Sequence, residues 1–403
     1  MEKLRIYVNS MFLFLTIIVC YGLSGKPNNS CTSTRGLSIK ERSFQNNSLV
    51  RDTFPKVSDL IIGAIRWDAW HNPDRGFAAR EVEYSLSQKK YHWRAPFFSN
   101  IINDTAISIT GYTQEVVDRE IEYASEMGLD YWAFLLYDEN SPLSDGINYY
   151  VNSDKKDKIS FCAMVNPARS FLTDVQESER LIRYINEPTY LKVNGNRPLI
   201  YFFRPTNEFI NSIGGENVLK EKLRMFCEKI KEAGFAEPFK VIMHYDQNIG
   251  LEMYNTFGAD ALSTYAIWGD NGEKGNNYQR LMEQCEQFWD SYNESGHKVI
   301  PTLMAGWDRR PRIERPVSWE AHEQKPGVGM DKYFELPTND QLVQHFVQGI
   351  EWVMKNDYED QARIILIYAW NEHDEGGWLC PTLNENGTIN TERLETIKKI
   401  LKR

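Results

Sequence analysis

Residues 364 to 370 read Ile-Ile-Leu-Ile-Tyr-Ala-Trp, an unbroken apolar and aromatic run that ends abruptly at Asn371-Glu372-His373-Asp374-Glu375-Gly376-Gly377-Trp378. A strand with one wet face alternates apolar and polar residues, so a short run without alternation reads as a strand buried on both faces. Runs of the same kind occur at Leu60 to Arg66, Tyr131 to Tyr137, Ile159 to Val165 and Pro198 to Phe203. Others follow at Phe239 to Tyr245, Ala261 to Ala266 and Lys298 to Met304. Amphipathic helical stretches lie between most of them, at Glu115 to Met127, Val218 to Ala233, Tyr278 to Tyr292 and Gln341 to Lys355. About eight doubly buried strands, each followed by a crossover, predict a single (β/α)8 TIM barrel over residues 56 to 403, with long loops on its catalytic face. An open doubly wound sheet gives the same local pattern, but its ligand site is announced by a Gly-rich turn after the first strand, and no such turn is present.

Composition sets the chemistry within which that barrel works. The chain of 403 residues is 42% hydrophobic and 25% charged, ordinary for a globular protein with a sizeable core. Its net charge of −10 argues against a nucleic-acid partner, which would need a basic footprint. Aromatic residues make up 13%, with 11 Trp and 21 Tyr. Aromatic planes at loop positions suit sugar rings, whose C–H faces are apolar and whose hydroxyls seek polar partners. The expected partner is an oligo- or polysaccharide, with no stable protein partner and no cofactor.

The N-terminus reads as a targeting segment. Lys3 and Arg5 precede the apolar run Met11 to Cys20, which is followed by Gly22-Leu23-Ser24-Gly25. That order of charged, apolar and small residues predicts a secretory signal over residues 1 to 25, and the run is short for a membrane span. An extracytoplasmic protein is expected. Lipid attachment at Cys20 is disfavoured by the bulky Val19 before it. Residues 26 to 55, rich in Ser, Asn, Thr and charge, read as a linker. Cys31, Cys162, Cys227, Cys285 and Cys380 are scattered without C-x-x-C spacing, which gives no support for a zinc or redox site and leaves one disulfide open.

Barrel enzymes place their sites at the C-terminal ends of the strands. Those ends supply Trp67, Asp68, Tyr137, Arg204, His244, Tyr245, Tyr265, Trp307 and Asn371 as candidate substrate-binding residues. Trp93, in the long loop from Trp67 to about Tyr112, and His373 join them. A second long loop, from Trp307 to about Pro337, carries Arg309, Arg310, Arg312 and Arg315. These arginines read either as a solvated surface or as a site for sulfate, phosphate or uronate groups, which a planar guanidinium grips bidentately.

Four acid–base side chains, Glu372, His373, Asp374 and Glu375, leave the last strand together. Glycoside chemistry needs one group to protonate the departing oxygen and one to act as base or nucleophile. Clustered carboxyls push their pKa values apart, which suits that division of labour. Glu372 and Glu375 are the candidate catalytic pair. No second histidine falls at ligand spacing from His373, so no metal is expected.

The stretch Ala369-Trp370-Asn371-Glu372-His373-Asp374-Glu375-Gly376-Gly377-Trp378 resembles the W-N-E-W-x-E-G signature of glycoside hydrolase family 99 endo-α-mannosidases and the related WbsX-like and family 71 proteins. The opening Ile62-Gly-Ala-Ile-Arg-Trp-Asp-Ala-Trp70 is similar to that group's aromatic first strand. The resemblance implies a (β/α)8 barrel that hydrolyses α-linked glycans without a metal. It implies Glu372 as base toward the sugar's own 2-hydroxyl, through a 1,2-anhydro sugar, and Glu375 as acid/base at the leaving oxygen. The chain departs from the signature where His373 replaces its Trp and where Asp374 stands in place of the usual His or Ala. It departs again in the first strand, where Arg66-Trp67-Asp68 replaces a tyrosine-rich run. Those changes surround the implied acid and leave the sugar open. A WbsX-like glycosyltransferase and a non-catalytic glycan-binding protein are the alternatives. An export signal and the lack of a D-x-D pair at a strand end weigh against the first.

Overall fold

The computed structural model describes residues 59–268, 277–320, 327–356 and 362–401. The predicted signal segment 1 to 25 and linker 26 to 55, with Cys20 and Cys31, lie outside the described residues.

Eight strands carry the architecture: β1 (Ile61–Arg66), β2 (Tyr131–Leu135), β3 (Ser160–Val165), β4 (Arg197–Phe203), β5 (Phe239–Met243), β6 (Ala261–Ser263), β7 (Thr302–Met304) and β8 (Ile364–Tyr368). All seven ladders that join them are parallel, and the last strand lies beside the first, Ile61 opposite Ile364 and Ala64 opposite Ile367. The circle closes between β6 and β7. There the Leu262 N–H donates to the Lys298 carbonyl at 2.9 Å, and the Ile300 N–H to the Leu262 carbonyl at 2.9 Å. This is the predicted (β/α)8 barrel, and the closed ladder excludes the open sheet.

The core has two layers. Inside the barrel, Tyr131 of β2 and Tyr201 of β4 meet hydroxyl to hydroxyl at 2.9 Å. Those strands are not neighbours in the sheet, so the contact runs through the interior, as side-chain layers from alternate strands do. Outside, helices cover the strands. Gln114–Met127 buries Val117, Ile121 and Ala124, spaced i, i+4, i+7 as one helical stripe. Thr113 starts that helix by accepting from the Val116 N–H, and Gly128, at φ 98°, ends it. The helix Asn339–Lys355 ahead of β8 begins with a full capping box of Thr338 and Gln341. These local signals are why helix ends lay within a few residues of their expected positions.

Both long loops contain regular structure among the described residues. The first folds into a helix (Phe77–Leu86), a 3-10 segment (Lys89–Arg94) and an antiparallel hairpin (Ser99–Asn103 with Ala106–Ile109). The second contributes a short helix, Arg310–Glu314, just past β7. Cys162, Cys227, Cys285 and Cys380 are all buried free thiols, so none of these four forms the disulfide left open by the sequence.

Candidate active site

The chain leaves β8 and makes a two-residue hairpin, Asn371 opposite Trp378 and Glu372 opposite Gly377, around a 3-10 turn at His373–Glu375. Glycine makes this turn fit. Gly376 sits at φ 85°, and a Cβ there would lie 2.5 Å from the Asp308 nitrogen. Across the gap Gly306, at φ 150°, would press a Cβ to within 2.3 Å of the Gly376 carbonyl oxygen. The two glycines let the β7 loop lie directly on the β8 turn, where the Asp308 N–H donates to the Glu375 carbonyl at 2.7 Å. Asn371 fastens the other side, accepting from the Trp67 N–H at 3.0 Å and donating to the Trp67 carbonyl at 2.7 Å.

Glu372 and Glu375 are both buried, and both face a cleft of about 790 Å³, its open mouth included. Aromatic side chains dominate its walls: Trp67, Tyr137, Tyr245, Tyr265, Trp268, Trp307 and Trp319. They brace each other. The Trp67 indole donates to the Tyr137 hydroxyl at 2.8 Å, and its ring meets Trp319 edge-on at 5.8 Å. Trp268 stacks on Trp307 with centroids 5.8 Å apart and lies 4.5 Å from Tyr245. Rings held this way present fixed apolar planes, as sugar stacking requires.

The two carboxyls live in different surroundings. Glu372 accepts from the Tyr265 hydroxyl at 2.8 Å through Oε1, and its Oε2 is 3.5 Å from Arg312 Nη2. Burial, then the neighbouring Glu375 charge, hold it well above the usual carboxylate range, with Arg312 and Tyr265 opposing only in part. Glu375 accepts from Arg312 Nη1 and from the Tyr368 hydroxyl, and Arg309 Nε lies 3.3 Å away as an ion contact. Burial pushes this carboxyl up as well, but Arg312 and then Arg309, aided by the Tyr368 and Arg312 hydrogen bonds, outweigh it and set Glu375 below the usual range. The two carboxyls are displaced in opposite directions, which suits a division into acid and base work.

Of the residues expected from the sequence, Trp67, Tyr137, Arg204, Tyr245, Tyr265 and Trp307 line the cleft with the two glutamates. Five are placed elsewhere. Asp68 is buried on Arg66 at 2.8 Å, and burial raises its pKa to about 6. The polar side chain is needed there to pair a cation that β1 itself buries. Trp93 lies 48% exposed outside the cleft, its indole donating to the Lys90 carbonyl and its ring against Trp378. His244 is buried against the backbone of Asp246. Asn371 is spent on the Trp67 backbone. His373 stacks on Trp378 and donates from Nδ1 to the Arg94 carbonyl at 2.7 Å; burial lowers its pKa to about 3, so it stays neutral behind the carboxyls.

Several residues at the site were not expected there. Arg309 and Arg312 are not a solvated surface: they line the cleft and pair with protein carboxyls, among them the buried Glu320. Trp268, Trp319, Arg169 and Tyr368 also reach the cleft or its carboxyls. The density of arginine just past β7 was visible in the sequence, but which acids they would meet depends on the fold.

No protein-family model matches the sequence, and no curated protein matches it. Among solved structures the fold is similar to that of the GH99 endo-α-mannosidase from Bacteroides thetaiotaomicron. The match has 13% identity and a TM-score of 0.48 and covers 85% of this chain and 96% of that one. The same enzyme in complex with bis-tris-propane gives 12% identity and a TM-score of 0.47, covering 85% and 95%. A hyperthermophilic β-glucosidase from Pyrococcus furiosus follows at 9% identity and a TM-score of 0.39, covering 87% and 96%. These solved structures are glycoside hydrolases. The barrel stands on its own strand order and closure, independently of these distant likenesses.

Proposed function

We propose that the protein is a glycoside hydrolase that cuts an α-linked glycan with Glu372 and Glu375. The observation that carries this is a pair of buried carboxyls at the end of β8, displaced in opposite directions in pKa, facing an aromatic-walled cleft. One carboxyl delivers its proton to the departing oxygen as the C1–O bond breaks and its electron pair stays on that oxygen. The other, as carboxylate, takes a proton from the nucleophile.

On the route that the motif resemblance suggests, the nucleophile is the sugar's own 2-hydroxyl, whose oxygen closes onto C1 to give a 1,2-anhydro sugar. Water then bonds to C1, the C1–O2 bond breaks, O2 recovers a proton from the second carboxyl, and the water's proton passes to the first. Both groups return to their starting states. The same resemblance favours an endo-α-mannosidase-like substrate, and the N-terminal pattern favours work outside the cytoplasm.

A panel of α-mannans, α-glucans and sulfated polysaccharides tests the proposal through the release of reducing ends. Cleavage of one polymer class would support the hydrolase and identify its substrate. Binding of a polymer with no cleavage of any would replace it with the glycan-binding alternative.

A further inference from the structure

The two glutamates stand on one side of the cleft, and the opposite side carries a different charge. Among the described residues, the charged side chains lining the cleft are Arg169, Arg204, Arg309, Arg312, Glu372 and Glu375. Arg309 and Arg312 belong to the β8 side, where they meet the carboxyls of Glu320, Glu372, Asp374 and Glu375. Arg169 and Arg204 follow β3 and β4, which pair with each other, and β4 lies directly across the circle of strands from β8. Carboxyls therefore outnumber cations on the wall that holds the glutamates, while the charged lining of the facing wall is cationic among the described residues.

The local backbone sets both of these arginines in place. Asn166, at the end of β3, accepts from the Ala168 N–H through Oδ1 at 2.9 Å, and its carbonyl accepts from the Arg169 N–H at 2.9 Å, which turns the chain just past the strand. Arg204 holds φ 50°, a left-handed conformation that is costly for a long side chain and persists only where its surroundings enforce it. Its N–H donates to the Met243 carbonyl at 2.9 Å. Each guanidinium then lies against a cleft tyrosine, Arg169 at 4.4 Å from the centre of the Tyr137 ring and Arg204 at 5.5 Å from that of Tyr245. Those two rings are the ones braced by Trp67 and Trp268. Burial lowers the Arg169 pKa against the pull of Tyr137 and of the exposed Asp138, so this cation meets less opposing charge than its burial calls for.

A planar guanidinium matches the paired oxygens of a carboxylate or a sulfate ester. A substrate entering the cleft displaces water from both arginines. An anionic group on the sugar supplies opposing charge as it does so, whereas a neutral sugar supplies none. Building on the hydrolase reading, we propose that Arg169 and Arg204 form an acidic-sugar subsite, so that the substrate is a glycan bearing a carboxylate or sulfate ester on the unit that lies against β3 and β4. The net charge of −10 gives such a polymer no long-range attraction, so recognition is local to this wall.

Calorimetric titration of the full chain tests the subsite, with Glu375→Gln as background to prevent turnover. The probes are uronate-containing and sulfated α-glycans, each paired with its own carboxyl-reduced or desulfated derivative. At least one acidic glycan is expected to bind about tenfold or more tighter than its neutral derivative, and the derivative that loses affinity tells which anion is read. Adding Arg169→Gln or Arg204→Gln should shrink that ratio several-fold, and Arg204→Lys, which keeps the charge, should restore part of it. The ratio compares two ligands on one folded protein, and the first comparison needs no arginine variant, so a loss of stability does not obscure the result. Equal or tighter binding of the neutral derivatives, no binding of any acidic glycan, or a preference untouched in both glutamine variants overturns the subsite. Cleavage by the wild type is read separately. An acidic glycan bound with the expected preference while no glycan is cut keeps the subsite and removes the hydrolase reading; cleavage of a neutral glycan with no acidic preference does the reverse.

Discussion

Two buried arginine clusters lie close together in this barrel and serve different ends. In the first, Arg66 pairs with Asp68 at 2.8 Å and Glu120 at 2.9 Å, and Glu120 accepts from the Trp370 indole at 2.8 Å. It ties β1, the helix Gln114–Met127 and the exit of β8 together, and none of its side chains lines the cleft. In the second, Arg309 and Arg312 meet Glu320, Glu372, Asp374 and Glu375 on the cleft side. Both clusters hold more carboxyls than cations, and both hold a carboxyl above its usual range: Asp68 in one, Glu372 in the other. Removing ions from water is costly, so burial of an excess carboxyl favours its neutral form. What differs is access. Asp68 lies away from the cleft, whereas Glu372 lines the space where a substrate would lie.

The contrast can be broken most sharply at the cleft. Glu372→Gln and Glu375→Gln are each expected to cut turnover by roughly 10²–10⁴-fold, the usual span for acid–base groups, with the fold intact by circular dichroism. In the Arg66 cluster, Arg66→Met leaves two buried carboxyls without their cation and should cost about 3–5 kcal/mol in urea unfolding. The position of both pH limbs in its residual activity should stay put, and a moved limb would show that the clusters are not separate.

The raised pKa of Asp68 has its own signature. Asp68 is raised from 3.8 to about 6 in the folded protein. An acid raised on folding contributes stability that is fully present below its unfolded pKa and lost as pH rises through the folded one. Asp68→Asn should therefore flatten the dependence of the urea midpoint on pH between about 4 and 6.

Smaller effects separate cleft wall from surface. Trp67→Phe removes the indole bond to Tyr137 while keeping an aromatic plane, a loss of about 1 kcal/mol that should raise KM several-fold with little change in kcat. Trp93→Ala, outside the cleft, should leave KM unchanged; an equal rise in both variants would extend the binding surface past the cleft mouth.

Much of this molecule was legible before its structure. Doubly buried strands write their burial into the sequence as unbroken runs, and helix ends carry caps such as Thr113 and Gly128, so barrel and boundaries followed from local pattern. The position of Glu372 and Glu375 followed from the barrel rule alone. What local pattern could not supply was pairing across the fold. Asp68 and Trp67 are neighbours in sequence, yet alternation along the strand end sends one to Arg66 and the other to the cleft. Arg312 could be read only as surface or as an anion site because its partners come from residues 320 and 372 to 375, the latter brought near by the glycines at 306 and 376. Burial of His373 behind Trp378 is likewise set by the hairpin, not by its own neighbours.

The central claim is that these two glutamates cut a glycosidic bond. It is tested most directly by comparing wild type, Glu372→Gln and Glu375→Gln for product release from whichever polymer the wild type degrades. The account predicts that both variants still bind that polymer and that each loses cleavage by orders of magnitude. Cleavage at wild-type rate by either variant would contradict it.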